Sequence, residues 1–211
     1  LAVLKTQVQS ARRGDVPPEQ ALREIGDTVN RATQLANQML ALAKVEQLRQ
    51  QAAPQHSRFD DVLRSVSLEL SPLIAQRDLD FGIHTQPALV QAHDWMLREL
   101  SRNLLHNAIR HAPEGSELTV DLRSDGRHAA LTISDCGPGI DAELAARLFQ
   151  PFSAGDVRTG SGLGLAICHE IVAALGGSIQ LLNREEHGRR LGLDAVVRLP
   201  LTDATAPAAA Q

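Results

Sequence analysis

The sequence predicts an α+β chain. A helical hairpin, forming half of a dimeric four-helix bundle, precedes an α/β sandwich whose mixed, largely antiparallel sheet is covered by helices on one face. Three observations support this class. Apolar residues recur at helical spacing through the first 50 residues. Beyond them, helical stretches alternate with short strand-like runs that pair as hairpins. The composition, 43% hydrophobic and 22% charged, is typical of globular proteins.

Residues 1–50 are predicted to form the helical hairpin, truncated at its N-terminus. Gly14 and Pro17 interrupt the helical spacing, and an apolar heptad follows from Glu19 to Gln50. Its stripe is wide enough for a four-helix bundle, which indicates a homodimer of hairpins. The second helix would be about 48 Å long and the first about 20 Å. We therefore expect the chain to begin inside its first helix; a naturally short first helix is the alternative.

The rest of the chain is expected to contain a linker, one domain and a tail. Residues 51–57 are polar with a proline and predict the linker, and residues 58–201 the domain. Helices are expected near 60–76, 94–111, 142–148 and up to 175. Strands are expected near 80–84, 88–91, 117–123, 129–134, 178–182 and 193–199. Residues 202–211 are Ala/Thr-rich and predict a disordered tail.

Charge and composition exclude several classes of protein. The net charge is −4 with no basic block, so no nucleic-acid partner is expected. No apolar run reaches the length of a membrane span and no signal peptide is recognisable, so we expect no membrane contact from this chain. The only lysines, Lys5 and Lys44, lie outside any glycine-rich loop, which excludes a Walker-type P-loop. Cys136 and Cys168 are expected to be reduced thiols of a cytoplasmic domain, with one disulfide as the alternative.

Four polar side chains share one face of the helix predicted for residues 94–111: Glu99, Asn103, Asn107 and Arg110. They occupy about 80° of arc at about 100° per residue. Carboxylate and amide oxygens are ligands that Mg²⁺ accepts beside water and phosphate. A guanidinium can bind a phosphate through two hydrogen bonds. The stripe is therefore a candidate magnesium and phosphate site, with a solvated helix face as the alternative.

A second motif, DCGPGI at residues 135–140, directly follows a predicted strand. Gly137 and Gly139 flank a proline and predict a tight turn at which a flat ligand can approach the backbone. The Asp135 carboxylate can accept a hydrogen bond from an exocyclic amine, which favours adenine over guanine. An ordinary turn that ends a strand is the alternative.

A third motif, TGSGLGL at residues 159–165, leads into a predicted helix. Glycines before a helix present free N–H groups to a phosphate. A dinucleotide-binding βαβ unit is the alternative. It requires a strand directly upstream, and the residues there, FQPFSAGDVRT, are irregular.

The order of these motifs resembles the ATP-binding domain of sensor histidine kinases, within the superfamily that includes Hsp90, DNA gyrase and MutL. The amide-bearing helix, DCGPGI, LFQPF and TGSGLGLAI follow one another like the family's N box, first glycine box, F box and second glycine box. Phe149 and Phe152 match the F box. Residues 1–50 resemble the family's dimerisation and phosphotransfer hairpin, so the resemblance covers about residues 1–200.

The resemblance implies that the domain binds ATP with Mg²⁺. Asn107, with Asn103, would hold the metal, Asp135 would pair with the adenine amine, and Gly139 would leave room for the ring. Gly162 and Gly164 would let a lid close over the phosphates. The other implied ligand-binding positions are Glu99, Arg110, His111, Gly137, Ile140, Gly160, Ser161 and Leu163. Arg110 and His111 stand where the family often has Lys and Tyr.

The chain departs from the family pattern at the phosphoacceptor. The family's acceptor lies in a His-Glu/Asp-Leu-Arg-Thr-Pro-Leu run on the first helix, and none of the eight histidines has that context. We expect the run to precede Leu1, so that this chain binds ATP without phosphorylating itself and contains no catalytic residue. The intact kinase would pass the γ-phosphoryl group to a bundle histidine and then to an aspartate of a response regulator.

Two other functions remain open. The first is an ATP-driven conformational machine of the same superfamily, such as a chaperone or repair ATPase, which would need a further domain after the ATP site. The second is a dimerisation and docking module with a degenerate nucleotide site. The presence of Asn107, Asp135 and the motif glycines argues against the second.

Overall fold

A computed structural model describes residues 2–50, 55–141, 148–149 and 163–202 of the chain. The helices are α1 (Ala2–Arg13), α2 (Pro18–Gln50), α3 (Phe59–Gln76), α4 (Asp94–His111) and α5 (Gly164–Ala174). The strands are β1 (His56–Arg58), β2 (Asp80–Thr85), β3 (Leu89–Gln91), β4 (Glu117–Ser124), β5 (His128–Asp135), β6 (Ser178–Glu186) and β7 (Arg189–Pro200). The α+β class is confirmed. The predicted helix near 142–148, apart from Leu148, and the tail beyond Thr202 lie outside the described residues.

The first two helices form the predicted hairpin. Gly14 takes a positive φ of 77° and its N–H donates to the carbonyl of Ala11, which ends α1 as glycine commonly does. Pro18 opens α2, where a proline costs no hydrogen bond because the first N–H groups of a helix have no partner within it. The chain therefore reverses between residues 14 and 17.

Part of the apolar heptad of α2 is exposed among the described residues, while Ile25 of the same heptad is half-buried. Leu22, Val29 and Met39 are 69%, 45% and 56% exposed. On the opposite side of the helix, Ala41 and Val45 are buried in one hydrophobic core with residues of the later helices and strands. Leu22, Val29 and Met39 thus form an exposed apolar seam along α2 in the described part of the chain.

The part of the chain that follows the hairpin is built on a five-stranded sheet with the order β2-β4-β5-β7-β6. β2 and β4 run parallel, and each other neighbouring pair is antiparallel, which confirms a mixed, largely antiparallel sheet. β1 and β3 form a separate antiparallel pair. β1 begins at His56, within the stretch predicted as linker, because three residues are too few to give a periodic pattern.

One face of the sheet carries the hydrophobic core. Side chains along β4, β5 and β7 alternate between buried and half-exposed, so every second residue points to α3, α4 and α5. The buried apolar residues of these three strands are Leu118, Val120, Leu122, Ala129, Leu131, Ile133, Ala195, Val197 and Leu199. The prediction that helices cover one face is confirmed.

The last two strands are longer than predicted. β6 continues to Glu186 and β7 already begins at Arg189. The turn between them consists of His187 and Gly188, both at positive φ. The prediction ended the strands at 182 and 193 because the charged residues between them show no alternation of apolar and polar side chains. The extra length brings this hairpin beside the carboxyl end of β5, where Asp135 pairs with Leu193.

A cation–π contact joins α2 to α4. The Lys44 ammonium nitrogen lies 4.4 Å from the ring centroid of Trp95, near the start of α4. Such contacts contribute about 0.5–1 kcal/mol at partly exposed sites.

We predict that Lys44→Ala increases the exposure of Trp95, because the ring loses the side chain that covers it. Trp95 is the only tryptophan of the chain, so the tryptophan fluorescence reports on the surroundings of this one ring. Acrylamide quenching should rise in Lys44→Ala and stay at the wild-type level in Lys44→Arg, which retains the cation. Equal quenching in wild type and Lys44→Ala would contradict the prediction.

Candidate functional site

The polar stripe of α4 lies at the surface of the core, as its spacing predicts. The leucines of the opposite face, Leu97, Leu100 and Leu104, are at most 2% exposed. On the polar side, the Asn103 amide nitrogen donates to a carboxylate oxygen of Glu99 at 3.0 Å and to the Glu99 carbonyl at 2.9 Å. The Glu99 carboxylate thus fixes the rotation of the Asn103 amide and leaves the amide oxygen directed away from it.

The Asn103 amide oxygen is directed toward the first residue of α5. A Cβ built on Gly164 would lie 3.0 Å from Asn103 Oδ1 and 4.0 Å from Asn107 Nδ2. The two asparagines of the predicted magnesium site and the N-terminal end of α5 therefore face each other. A helix N-terminus offers unpaired N–H groups and a favourable dipole to an anion.

Asp135 is the last residue of β5 and is only 5% exposed. Its Oδ1 accepts the Gly137 N–H at 2.7 Å, and among the described residues its Oδ2 has no hydrogen-bond partner. Burial raises the pKa of Asp135 above its ordinary value, while the Gly137 hydrogen bond acts in the opposite direction. The site thus holds a fixed, buried carboxyl group with one oxygen still able to accept a hydrogen bond.

Glycine is required at position 137 by close packing. A Cβ there would lie 2.7 Å from Asp135 Oδ1 and 2.9 Å from the carbonyl oxygen of His111. The first glycine motif therefore packs directly on the last turn of α4, which brings the two predicted motifs together.

Arg110 and His111 form the C-terminal end of α4, where a positive charge is favourable. Desolvation, and secondly the Arg110 charge, lower the pKa of His111. At neutral pH the imidazole next to the Asp135 turn is therefore neutral and can both donate and accept a hydrogen bond.

Gly139 and Ile140 form the outer part of the turn. Gly139 has a φ of 72°, a conformation that side chains other than glycine rarely adopt. The Ile140 N–H donates to Asn183 Oδ1 at 2.9 Å, and Asn183 Nδ2 donates to the Ile140 carbonyl at 2.7 Å. The side-chain amide of Asn183 thus pairs with both backbone groups of Ile140, as a residue on a neighbouring strand would.

The second glycine motif is described only at its end. Leu163 is buried and its carbonyl accepts the Ile167 N–H in the first turn of α5. Phe149 of the F-box match stacks at a tilt on His169 of α5, with 5.4 Å between the ring centroids. The predicted residues outside the described ranges are Phe152, Gly160, Ser161 and Gly162.

Sequence reasoning missed the residues of the β6–β7 hairpin that contact the Asp135 turn. Besides Asn183, Arg184 donates to the Asp135 carbonyl at 2.7 Å and Arg190 pairs with Asp141 at 3.0 Å. A Cβ on Gly192 would overlap the Asp135 carbonyl oxygen. The only local signal was Gly192 within a strand-like run, since a glycine there often marks a close approach of two backbones.

The chemistry of these residues fits an adenine nucleotide with Mg²⁺. Asp135 supplies an acceptor beside a glycine turn, and Arg110 lies at one end of the α4 stripe. Within the described ranges no group of three or more His, Cys, Asp or Glu side chains could hold a metal ion. The amide oxygens of Asn103 and Asn107 are the groups that would hold a cation here, with water and phosphate supplying the other ligands.

Cys136 and Cys168 are both free thiols. Cys168 is buried in the core, and its desolvation raises the pKa of the thiol well above the ordinary value. No helix in the described part of the chain is both long and apolar enough to cross a membrane.

Known proteins resemble the chain both in sequence and in structure. Residues 94–203 match the family of histidine kinase-, DNA gyrase B-, and HSP90-like ATPases. The sensor protein kinase PmrB of Pseudomonas aeruginosa is 33% identical over 99% of this chain and 45% of its own length. The sensor protein QseC of Escherichia coli O157:H7 is 31% identical over 89% of this chain and 42% of its own length. The chain thus spans less than half the length of these relatives.

A solved structure extends the likeness to the arrangement of the elements. The histidine kinase AdeS of Acinetobacter baumannii superposes with a TM-score of 0.75 at 25% sequence identity. The superposition covers 96% of this chain and 95% of that one, so it includes the helical hairpin as well as the sheet domain.

Proposed function

The chain belongs to the family of histidine kinase-, DNA gyrase B-, and HSP90-like ATPases, and we propose that it is the catalytic core of a two-component sensor histidine kinase that binds Mg-ATP. The observation that carries the proposal is the buried Asp135 carboxyl, which is fixed by Gly137 and keeps one acceptor oxygen. Among the family's functions, the kinase is favoured because the relatives that match nearly the whole chain are sensor proteins.

Each end of the site has a distinct role in this proposal. Asp135 accepts the adenine amine, and the Gly137–Gly139 turn leaves space for the ring. Asn107 and Asn103 hold Mg²⁺, which neutralises charge on the phosphates. Arg110 and the N-terminus of α5 bind the phosphates, with Glu99 fixing the Asn103 amide. The protein contributes positioning and charge neutralisation to phosphoryl transfer.

A test of ATP binding follows from mass action. A ligand that binds only the folded state at 100 times its Kd stabilises that state by about 2.7 kcal/mol. The midpoint temperature of thermal unfolding should therefore rise with Mg-ATP. It should rise much less with Mg-GTP, because guanine has a carbonyl where adenine has its amine. Equal shifts with both nucleotides would contradict the role of Asp135.

The proposal divides the chain into a dimerisation and phosphotransfer hairpin of residues 1–50 and an ATP-binding domain of residues 58–201. The hairpin contains no histidine, since the first of the eight is His56. We infer that no histidine of this chain is the phosphoacceptor. Incubation with γ-labelled ATP and Mg²⁺ should leave the protein unlabelled while it still binds nucleotide. Acid-labile labelling of any histidine would contradict this inference.

The exposed apolar seam of α2 supports a homodimer. Leu22, Val29 and Met39 lie on one stripe and expose apolar surface that a second hairpin would bury in a four-helix bundle. In the full phosphorelay, a response regulator would receive the phosphoryl group on an aspartate. Because ATP is the ligand, the proposal places this part of the sensor in the cytoplasm.

We predict that Val29→Glu converts the dimer to a monomer, because it would place two charges in the apolar seam of the bundle. Val29→Leu preserves the apolar surface and should leave the dimer intact. Light scattering coupled to gel filtration measures the mass of both variants. A wild-type chain that is monomeric at tens of micromolar, or a dimeric Val29→Glu, would contradict the homodimer.

A further inference from the structure

We propose that the β6–β7 hairpin acts as a clamp on the first glycine motif, and that Asn183 is a positioning residue for adenine recognition. The hairpin clamp consists of Asn183, Arg184 and Arg190. The inference rests on the proposed nucleotide site, and it adds residues that belong to none of the four sequence motifs.

Asn183 makes the most specific contact of the clamp. Its amide accepts the Ile140 N–H at 2.9 Å and donates to the Ile140 carbonyl at 2.7 Å. It also closes over Gly139, because a Cβ at that glycine would lie 2.5 Å from Asn183 Oδ1. The Asn183 side chain thus fixes the backbone of Ile140 and packs against Gly139, the residue proposed to leave room for the ring.

Arg184 holds the other end of the motif. One guanidinium nitrogen donates to the Asp135 carbonyl at 2.7 Å, and another lies 3.2 Å from the Asp194 carboxylate on β7. The pairing of β6 with β7 shifts register between Arg184 and Glu185. Such an irregularity redirects the side chains beside it, as a bulge commonly does near a functional site.

Arg190 closes the clamp from β7. Its guanidinium donates to the Pro138 carbonyl at 3.4 Å and to the Asp141 carboxylate at 3.0 Å, and it also pairs with Glu185. The three clamp side chains therefore contact the turn at both of its ends and in the middle. Each of these hydrogen bonds between the turn and the clamp joins residues more than 40 positions apart in the sequence.

The physical consequence is preorganisation. A turn rich in glycine and proline has few local hydrogen bonds, so without the clamp it would populate several conformations. When only a fraction of molecules has the competent turn, the apparent affinity for a ligand falls by that fraction. The clamp should therefore act mainly on the base, whose pocket the turn forms, rather than on the phosphates.

The test compares two nucleotides that differ at the base. Asn183→Ala should weaken binding of a non-hydrolysable ATP analogue about tenfold. It should weaken binding of the matching inosine analogue less, because that base has a carbonyl in place of the amine that Asp135 accepts. The preference for adenine over hypoxanthine should therefore fall. Gln180→Ala, exposed on the same strand, is the control and should change neither affinity.

A second variant covers the case in which Asn183→Ala unfolds. Asn183→Asp retains the acceptor for the Ile140 N–H and loses the donor to its carbonyl, so it should reduce the preference for adenine to a smaller extent. A wild-type chain that binds no nucleotide would contradict the proposed function itself. If the wild type binds and folded Asn183 variants keep its preference for adenine, the positioning role is wrong and the proposed function stands.

Discussion

Asp135→Asn is expected to weaken ATP binding by about 10- to 150-fold. A hydrogen bond to a charged group is worth about 1.5–3 kcal/mol, and each 1.4 kcal/mol corresponds to a factor of ten. The variant keeps the shape of the side chain and an oxygen for the Gly137 N–H, so the turn itself should persist. Isothermal titration with an ATP analogue measures the change. An unchanged affinity would remove Asp135 from the adenine site.

The same substitution should have the opposite effect on stability. Burial raises the pKa of Asp135 above its ordinary value of 3.8, so the folded state holds this proton more tightly than the unfolded state does. The contribution of Asp135 to the stability of the wild type is therefore lost as pH rises from about 3.8 through the raised pKa, and the loss persists at neutral pH. The asparagine side chain of Asp135→Asn does not ionise in this range, so the variant should be at least as stable as the wild type at pH 7. Denaturant unfolding of both proteins at pH 4 and pH 7 measures this. If the free energy of unfolding of Asp135→Asn, relative to that of the wild type, were lower at pH 7 than at pH 4, this expectation would be wrong.

Gly137→Ala is expected to disrupt both the fold of the turn and nucleotide binding. The new Cβ would lie 2.7 Å from Asp135 Oδ1 and 2.9 Å from the backbone oxygen of His111, and that backbone belongs to a packed helix. Forcing extra volume into such a site costs about 1–3 kcal/mol. We expect a loss of stability of this size and, because Asp135 must move, a loss of ATP affinity of tenfold or more.

Gly82→Ala is the matched control for Gly137→Ala. A Cβ on this β2 glycine would lie 3.6 Å from Thr119 Cγ2, an ordinary contact, and the backbone there is not in the left-handed region. Denaturant unfolding measures the stability of both variants, and calorimetric titration measures their affinity for the ATP analogue. If Gly137→Ala behaves like Gly82→Ala, the close packing of α4 on the turn is not important for the site.

The local parts of the site could be predicted because each has a local pattern. The α4 stripe follows from helical periodicity, and the helix has the predicted bounds, residues 94 and 111. Asp135 follows from its place between an alternating strand and a glycine turn. Both patterns depend on residues within a few positions of one another, so the sequence alone specifies them.

The clamp could not be predicted because its contacts are long-range. Asn183 lies 43 residues from Ile140, and an asparagine in a charged hairpin has no periodic signature. The extension of β6 and β7 follows from pairing between the two strands rather than from the propensity of either one. Only the folded sheet brings these side chains to the end of β5.

Calorimetric titration of the wild-type chain with a non-hydrolysable ATP analogue, with and without Mg²⁺, tests the central proposal most directly. The proposed site predicts one nucleotide bound per chain, with an affinity that depends on Mg²⁺ because Asn103 and Asn107 act through the metal. No detectable binding in the presence of Mg²⁺ would contradict the proposal. The glycine motifs would then serve only as scaffold, and a dimerisation and docking module would be the better description of the chain.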